Sequence, residues 1–248
     1  MVLAHASGHM VFANAYAMRE AGITAETPNP KGGEILHDAE GNPIGIFRET
    51  AAGLLAGVKA RAEAKRSDKE AFEYSLRAIE LAAKECLENG ITSFQDAGSS
   101  FATVDLLKQA ADDKRLPIRL WVMIRDRNDL MKAKLASYKM IGYAKDFLTV
   151  RAVKRSIDGA LGPHGAWLLA PYSDMPKSAG LNTATVESVK ETAEIAIKND
   201  FQVCVHAIGD RANREVLDIY EGLFKKYPSV LPRRWRIEHA QHLSLIHI

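Results

Sequence analysis

From Ser67 onward the apolar positions follow two alternating rhythms. Phe72, Leu76, Ile79, Ala83 and Cys86 recur at helical spacing, and Gly90 stops the run. Ser67 and Glu70 precede it at the S-x-x-E spacing of a capping box. After this helix come short runs rich in Val, Ile and aromatics: ITSFQ at 91–95, IRLWVMI at 118–124, LTVRAVKRS at 148–156, FQVCVH at 201–206 and WRIEH at 235–239. Between them TVDLLKQAADD, NDLMKAKLASY, TVESVKETAEIAIKND and ANREVLDIYEGLFKKY predict helices. Mostly apolar strands alternating with helices predict a parallel sheet covered by helices, in roughly five β/α steps. No Gly-rich phosphate fingerprint follows any strand, which disfavours a nucleotide-binding doubly wound sheet against a (β/α)8 barrel.

The first 60 residues read differently. ANAYAMREAG at 13–22 predicts a short helix stopped by Gly22. TPNPKGGEILHDAEGNPIGIF is dense in Gly and Pro, and EILHD and PIGIF flank a turn-like AEGN, predicting a small hairpin or irregular loop.

Charge removes some function classes. The 33 basic and 31 acidic side chains leave a net +2, which makes no electrostatic case for nucleic acid or an anionic membrane. No apolar run approaches the roughly 20 residues of a membrane span. Cys86 and Cys204 sit in apolar settings and read as small core residues. MVLAHASGHM lacks the features of a signal peptide, so a cytoplasmic location is expected. The pattern carries no signal for oligomeric state.

Polar chemistry collects at the strand ends: Gln95 and Asp96, Arg125 and Asp126, Lys154, His206, then Glu238 and His239. In a parallel barrel these ends converge on one face, where barrel enzymes place their active sites. Histidines ending adjacent strands lie roughly 5 Å apart at the backbone and can share a metal ion; zinc takes nitrogen ligands at about 2.0–2.1 Å. The competing reading is a pair of hydrogen-bonded core histidines. Lys154, inside an apolar strand, must lose its charge or find a partner. It reads as a Schiff-base amine, as a carbamate able to bridge two metals, or as a lysine snorkelling at a strand end. The segment SIDGALGPHGAWLLAPYSDMPKSAG is a long loop on the same face and reads as a lid. It carries His164, expected to be exposed, and Asp158, expected to stabilise a sharp turn before Gly159. Asp210 is expected to cap the following helix, with orientation of His206 as its other reading. Strand alternation predicts that Glu238 points away from the interior.

The words SGHMVFANAYAMREAGIT, GGEILHDAEGNPIG, GITSFQDAG, VKRSIDGALGPHGAWLLAPYSD, VHAIGDRAN and RIEHAQ, in this order, resemble the amidohydrolase superfamily, in particular amidohydrolase family 3 (YtcJ-like) metal-dependent hydrolases. The resemblance covers nearly the whole chain up to His242. It implies a partial (β/α)8 TIM-type barrel, about strands 2 to 6, over 61–243. Residues 1–60 would then form a substrate-capping helix and hairpin segment, and 244–248 (SLIHI) a non-native tail. It implies a divalent metal centre, zinc as one or two ions, with Lys154 carboxylated and His206 and His239 as ligands. His9 and His164 are placed near substrate, and Asp210 and Asp158 behind the ligands. The implied partner is a small-molecule amide-type substrate, hydrolysed at a non-peptide C–N bond by metal-activated water. The family's H-x-H pair on its first strand and its aspartate on the eighth have no counterpart here. The chain therefore reads as an internal fragment that is inactive alone. Two other functions stay open: a metal-free lyase or aldolase using Lys154, and a non-catalytic binding fragment.

Overall fold

The computed structural model describes residues 1–5, 10–30, 33–162, 164–228 and 234–243. It divides into two units, Met1–Ser75 and Leu76–Ile248, the division falling inside helix α3 (Asp68–Glu88). The capping box forms as predicted: Ser67 N and Oγ both donate to Glu70 Oε2 at 2.8 Å, and Glu70 N donates back to Ser67 Oγ at 3.3 Å.

The first unit holds a four-stranded antiparallel sheet. Its strands are β1 (Val2–Ala4), β2 (Met10–Ala13), β3 (Gly33–His37) and β4 (Pro43–Glu49), in the order β1-β2-β4-β3. The predicted hairpin is β3–β4. Asp38 Oδ1 closes its turn by accepting from Glu40 N and Asn42 N. The strands β1 and β2 were not expected, being only three and four residues long. The predicted helix is α1 (Ala15–Glu20), capped by the Asn14 side chain, which accepts from Ala17 N. A 3-10 turn (Thr50–Leu55) leads into α2 (Ala56–Glu63). Ile23, Ile35, Phe47, Ala51 and Leu55 form the core of this unit.

The second unit is the expected β/α alternation. β5 (Ser93–Ser99), β6 (Arg119–Ile124), β8 (Leu148–Ser156), β9 (Gln202–Ala207) and β10 (Arg236–His239) run parallel in the order β10-β9-β8-β6-β5. A short strand, β7 (Met140–Gly142), adds antiparallel to β8. The connections are α4 (Phe101–Asp112), α5 (Asn128–Lys134) with a 3-10 turn (Leu135–Ser137), a left-handed turn α6 (Tyr143–Asp146), α7 (Val186–Lys198) and α8 (Asp210–Lys226). Apolar stripes on α4, α5, α7 and α8, such as Leu107, Met131, Val189 and Leu223, pack on Val122, Val150, Val153, Val203 and Val205 of one sheet face.

The other face is concave. Arg236 Nη1, on the edge strand β10, donates to Gln95 Oε1 on the opposite edge strand β5 at 2.9 Å. Four strand spacings would separate these edges by about 19 Å in a flat sheet. The contact requires a curled sheet, and this is the partial TIM-type barrel expected, built from five parallel strands with helices outside.

One irregularity decides which residues face inward. Val122 and Met123 of β6 pair with Val150 and Ala152 of β8, so Arg151 is an extra residue, a β-bulge. Val150 and Val153 both face the helices, three positions apart rather than two. The bulge shifts the phase of β8. Ala152 joins Met123 and Cys204 on the concave face, and Lys154 and Ser156 follow it there.

Candidate active site

Lys154 pairs with Cys204 across β8–β9, and Ser156 with His206. His206 in turn pairs with Glu238 across β9–β10. Paired residues in a sheet share a face, so Lys154, His206 and Glu238 all project from the concave side.

Lys154 is only 5% exposed. Its Nζ donates to Arg155 O at 3.3 Å, and among the described residues no carboxylate lies within ion-pair distance. Burial holds its pKa below the usual lysine value. The Arg125 charge pushes the same way, and Glu238 opposes them. The lowered pKa favours the neutral amine, which is a nucleophile and a donor atom. Beside it Cys204 is fully buried, and burial pushes its thiol up to about 11, so it is inert packing.

His206 and His239 meet at the rim, their ring centroids 4.5 Å apart and their planes at 69°. Burial, then the neighbouring His206 and Lys154, hold the pKa of His239 below the usual histidine value. This keeps a lone pair available for a ligand. His206 Nε2 is buried and has no well-angled hydrogen bond, although it lies 3.4 Å from Asp158 Oδ1.

Three expectations are corrected. Glu238 does not point away from the interior: its Oε1 accepts from Arg236 Nε at 2.8 Å on the concave face. The alternation argument failed because His239 adopts φ 77°, which ends the strand geometry and turns consecutive side chains to the same side. Asp210 does not cap α8. The cap position is Gly209, in extended conformation, and Asp210 is the first helical residue. Its Oδ1 accepts from Leu169 N at 2.9 Å, tying the long loop to the helix start. Asp158 does not serve to stabilise a local turn before Gly159. Its side chain is completely buried and accepts from Trp167 N, Ile208 N and Gly209 N at 2.8–3.3 Å.

The remaining expected residues fall elsewhere. His164 bonds to Asp174 at 2.9 Å and packs edge-on against Tyr172, both within its own loop. His9 lies outside the described residues. One residue with consequences for the site escaped the sequence reading: Arg236, which stands over the Trp121 ring. Arg125, picked out as a strand-end residue, reaches Ser156 Oγ at 3.4 Å. Arg236 sits in a period-two strand pattern and could have been flagged as an inward-facing charge.

Two imidazoles with a buried amine on one curled face are a donor set that suits a divalent cation. Among the described residues no three His, Cys, Asp or Glu side chains cluster to hold one, so Lys154 would have to complete the set. No helix among the described residues is long and apolar enough to cross a membrane.

The curled parallel sheet with its outer helices defines a class by fold, the partial β/α barrels. The model of the amidohydrolase family matches residues 1–245, and the chain belongs to that family. It is 33% identical to Protein LONG AFTER FAR-RED 3 of Arabidopsis thaliana, over 96% of this chain and 41% of that protein. It is 27% identical to N-substituted formamide deformylase of Arthrobacter pascens, over 96% of this chain and 43% of that protein. The crystal structure of an uncharacterized metal-dependent hydrolase from Pyrococcus horikoshii OT3 superimposes with a TM-score of 0.66 at 23% identity, over 90% of this chain and 42% of that one. The chain thus spans about two fifths of the length of the proteins it matches.

Proposed function

We propose that this chain carries the metal-holding strands of a hydrolase that cleaves amide-type C–N bonds outside peptides. The observation that carries the reading is the apposition of the His206 and His239 rings at the rim of the sheet face that also carries buried Lys154. The deformylase relative, named for N-substituted formamides, supports the bond type.

His206 and His239 would hold the cation, zinc by the nitrogen donors, with Lys154 as the third donor. When bound, such a cation lowers the pKa of its water and polarises a carbonyl. The chain's own groups supply the rest. Neutral Lys154 can add to carbon dioxide, forming an N–C bond and releasing a proton, and the resulting carbamate is an anion suited to one or two cations. Arg125 and Ser156 stand at the rim beside it to orient a polar substrate. Burial, then His206 and Lys154, lower the pKa of His239 and so favour its unprotonated ring.

Zinc titration by calorimetry tests the reading: stoichiometric binding is expected, lost in both His206→Ala and His239→Ala. Binding that survives both substitutions sinks it. A second reading, Lys154 as a Schiff-base nucleophile, draws on the lowered amine pKa. Borohydride trapping of a carbonyl substrate on Lys154, without zinc dependence, would establish it.

A further inference from the structure

Among the described residues Asp158 is the one carboxylate whose side chain is wholly buried at the rim. A buried carboxylate needs compensation, and here it is main-chain. Oδ2 accepts from Gly209 N at 2.8 Å and Trp167 N at 3.0 Å, and Oδ1 accepts from Ile208 N at 3.0 Å. These donors come from the turn after β9 and from the middle of the long loop. Asp158 is itself held in place from behind. Ile157 N donates to His206 O at 3.1 Å, continuing the β8–β9 ladder, and Thr183 Oγ1 donates to Asp158 O at 3.3 Å.

This arrangement constrains the neighbouring imidazole. A carboxylate surrounded by three N–H donors is an acceptor, so the ring nitrogen facing it carries the proton. That nitrogen is Nε2 of His206, 3.4 Å from Oδ1 and closed off from solvent. Nδ1 is left as the ring's free lone pair.

The hydrogen bonds that tie the loop here come from its backbone. Trp167 N binds the carboxylate, Trp167 O accepts from Ala212 N at 3.2 Å, and Leu169 N binds Asp210. The approach is so close that a Cβ on Gly209 would lie 1.9 Å from Trp167 O.

We propose that Asp158 is a positioning residue that fixes His206 as the Nε2–H tautomer, with Nδ1 free for a ligand, and does so while the loop around Trp167 is seated on the β9–α8 turn. The proposal deepens the metal-hydrolase reading and rests on it only for the use made of Nδ1.

The test is long-range 1H–15N NMR on metal-free, 15N-histidine-labelled protein, with His206 assigned by its loss in His206→Ala. The wild-type ring is expected as the Nε2–H tautomer. In Asp158→Asn a mixture of tautomers is expected, with zinc affinity reduced about 10–100-fold. A predominant Nδ1–H signal in the wild type overturns the proposal, and that measurement needs no variant to fold. An unchanged tautomer and unchanged zinc affinity in Asp158→Asn overturn it as well. Absence of zinc binding by the wild type would sink the metal reading alone, because the tautomer is read without metal.

Discussion

The imidazoles of His206 and His239, on neighbouring parallel strands, stand edge to face with centroids 4.5 Å apart. The second ring reaches this position only because its backbone takes φ 77°. With regular alternation it would have turned toward the helices. The strain of a non-glycine residue in that region is the kind that accumulates at functional sites. Replacing His239 with glycine removes both strain and ligand. His239→Gly is expected to leave thermal stability equal to or above wild type while zinc affinity falls at least about tenfold, as read by differential scanning calorimetry and zinc titration.

Lys154 is a cost to the fold. Its ammonium is desolvated between Cys204 and Glu238 levels of the sheet, without a carboxylate in ion-pair distance among the described residues. Lys154→Met keeps the length of the side chain and removes the buried charge. It is expected to raise the unfolding free energy by about 1–2 kcal/mol in urea titration, while zinc binding is lost. A destabilised variant would show that the amine has a compensating partner.

Glu194 joins α7 to α8. Hydrogen bonds from Lys226, then Tyr227, then Lys198 hold its carboxyl down to about 2, against an ordinary 4.5. A lowered folded-state pKa contributes stability above the unfolded value, and that contribution is lost as the pH falls from 4.5 toward 2. Glu194→Gln is therefore expected to lower the melting temperature by a constant amount above about pH 5. The difference should shrink to nothing near pH 2. The pair lies at the surface, so screening limits the effect to about 1 kcal/mol or less. A difference that persists at pH 2 would contradict the assignment.

Gly209→Ala forces a Cβ against Trp167 O. Overpacking of this kind costs about 1–3 kcal/mol. The expected relief is movement of the long loop away from the β9–α8 turn, read as faster proteolysis between 158 and 182 with the helices intact by circular dichroism. A loop that stays as resistant as wild type would mean the turn yields instead.

Much of the second unit was legible because its signals are local. LTVRAVKRS is β8 to the residue, and the S-x-x-E box starts α3 where expected. Lys154, His206 and His239 could be picked out as polar residues ending apolar runs. What escaped depends on distant chain. The donors to Asp158 include Ile208 and Gly209, 50 and 51 residues away. No spacing rule announces such a pairing. Glu238 was misread because period-two alternation assumes regular backbone up to the last residue. Asp210 was misread because glycine served as the cap one position earlier. The strands β1 and β2 are too short to carry a periodic signal, and the pairing of β2 with β4, which joins them to the hairpin, is set by contacts distant in the chain, such as Met10 with Arg48.

Arg151 is one amino acid more than the ladder between β6 and β8 needs, and that surplus decides which side of the sheet receives the amine three residues later. Were Arg151 kept but paired in regular alternation, residue 154 would fall among the valines under the helices and Val153 would come to the rim in its place. The reactive nitrogen of this chain is thus available by virtue of how the ladder absorbs an extra residue: trimming Arg151 away would keep Val153 under the helices and Lys154 at the rim.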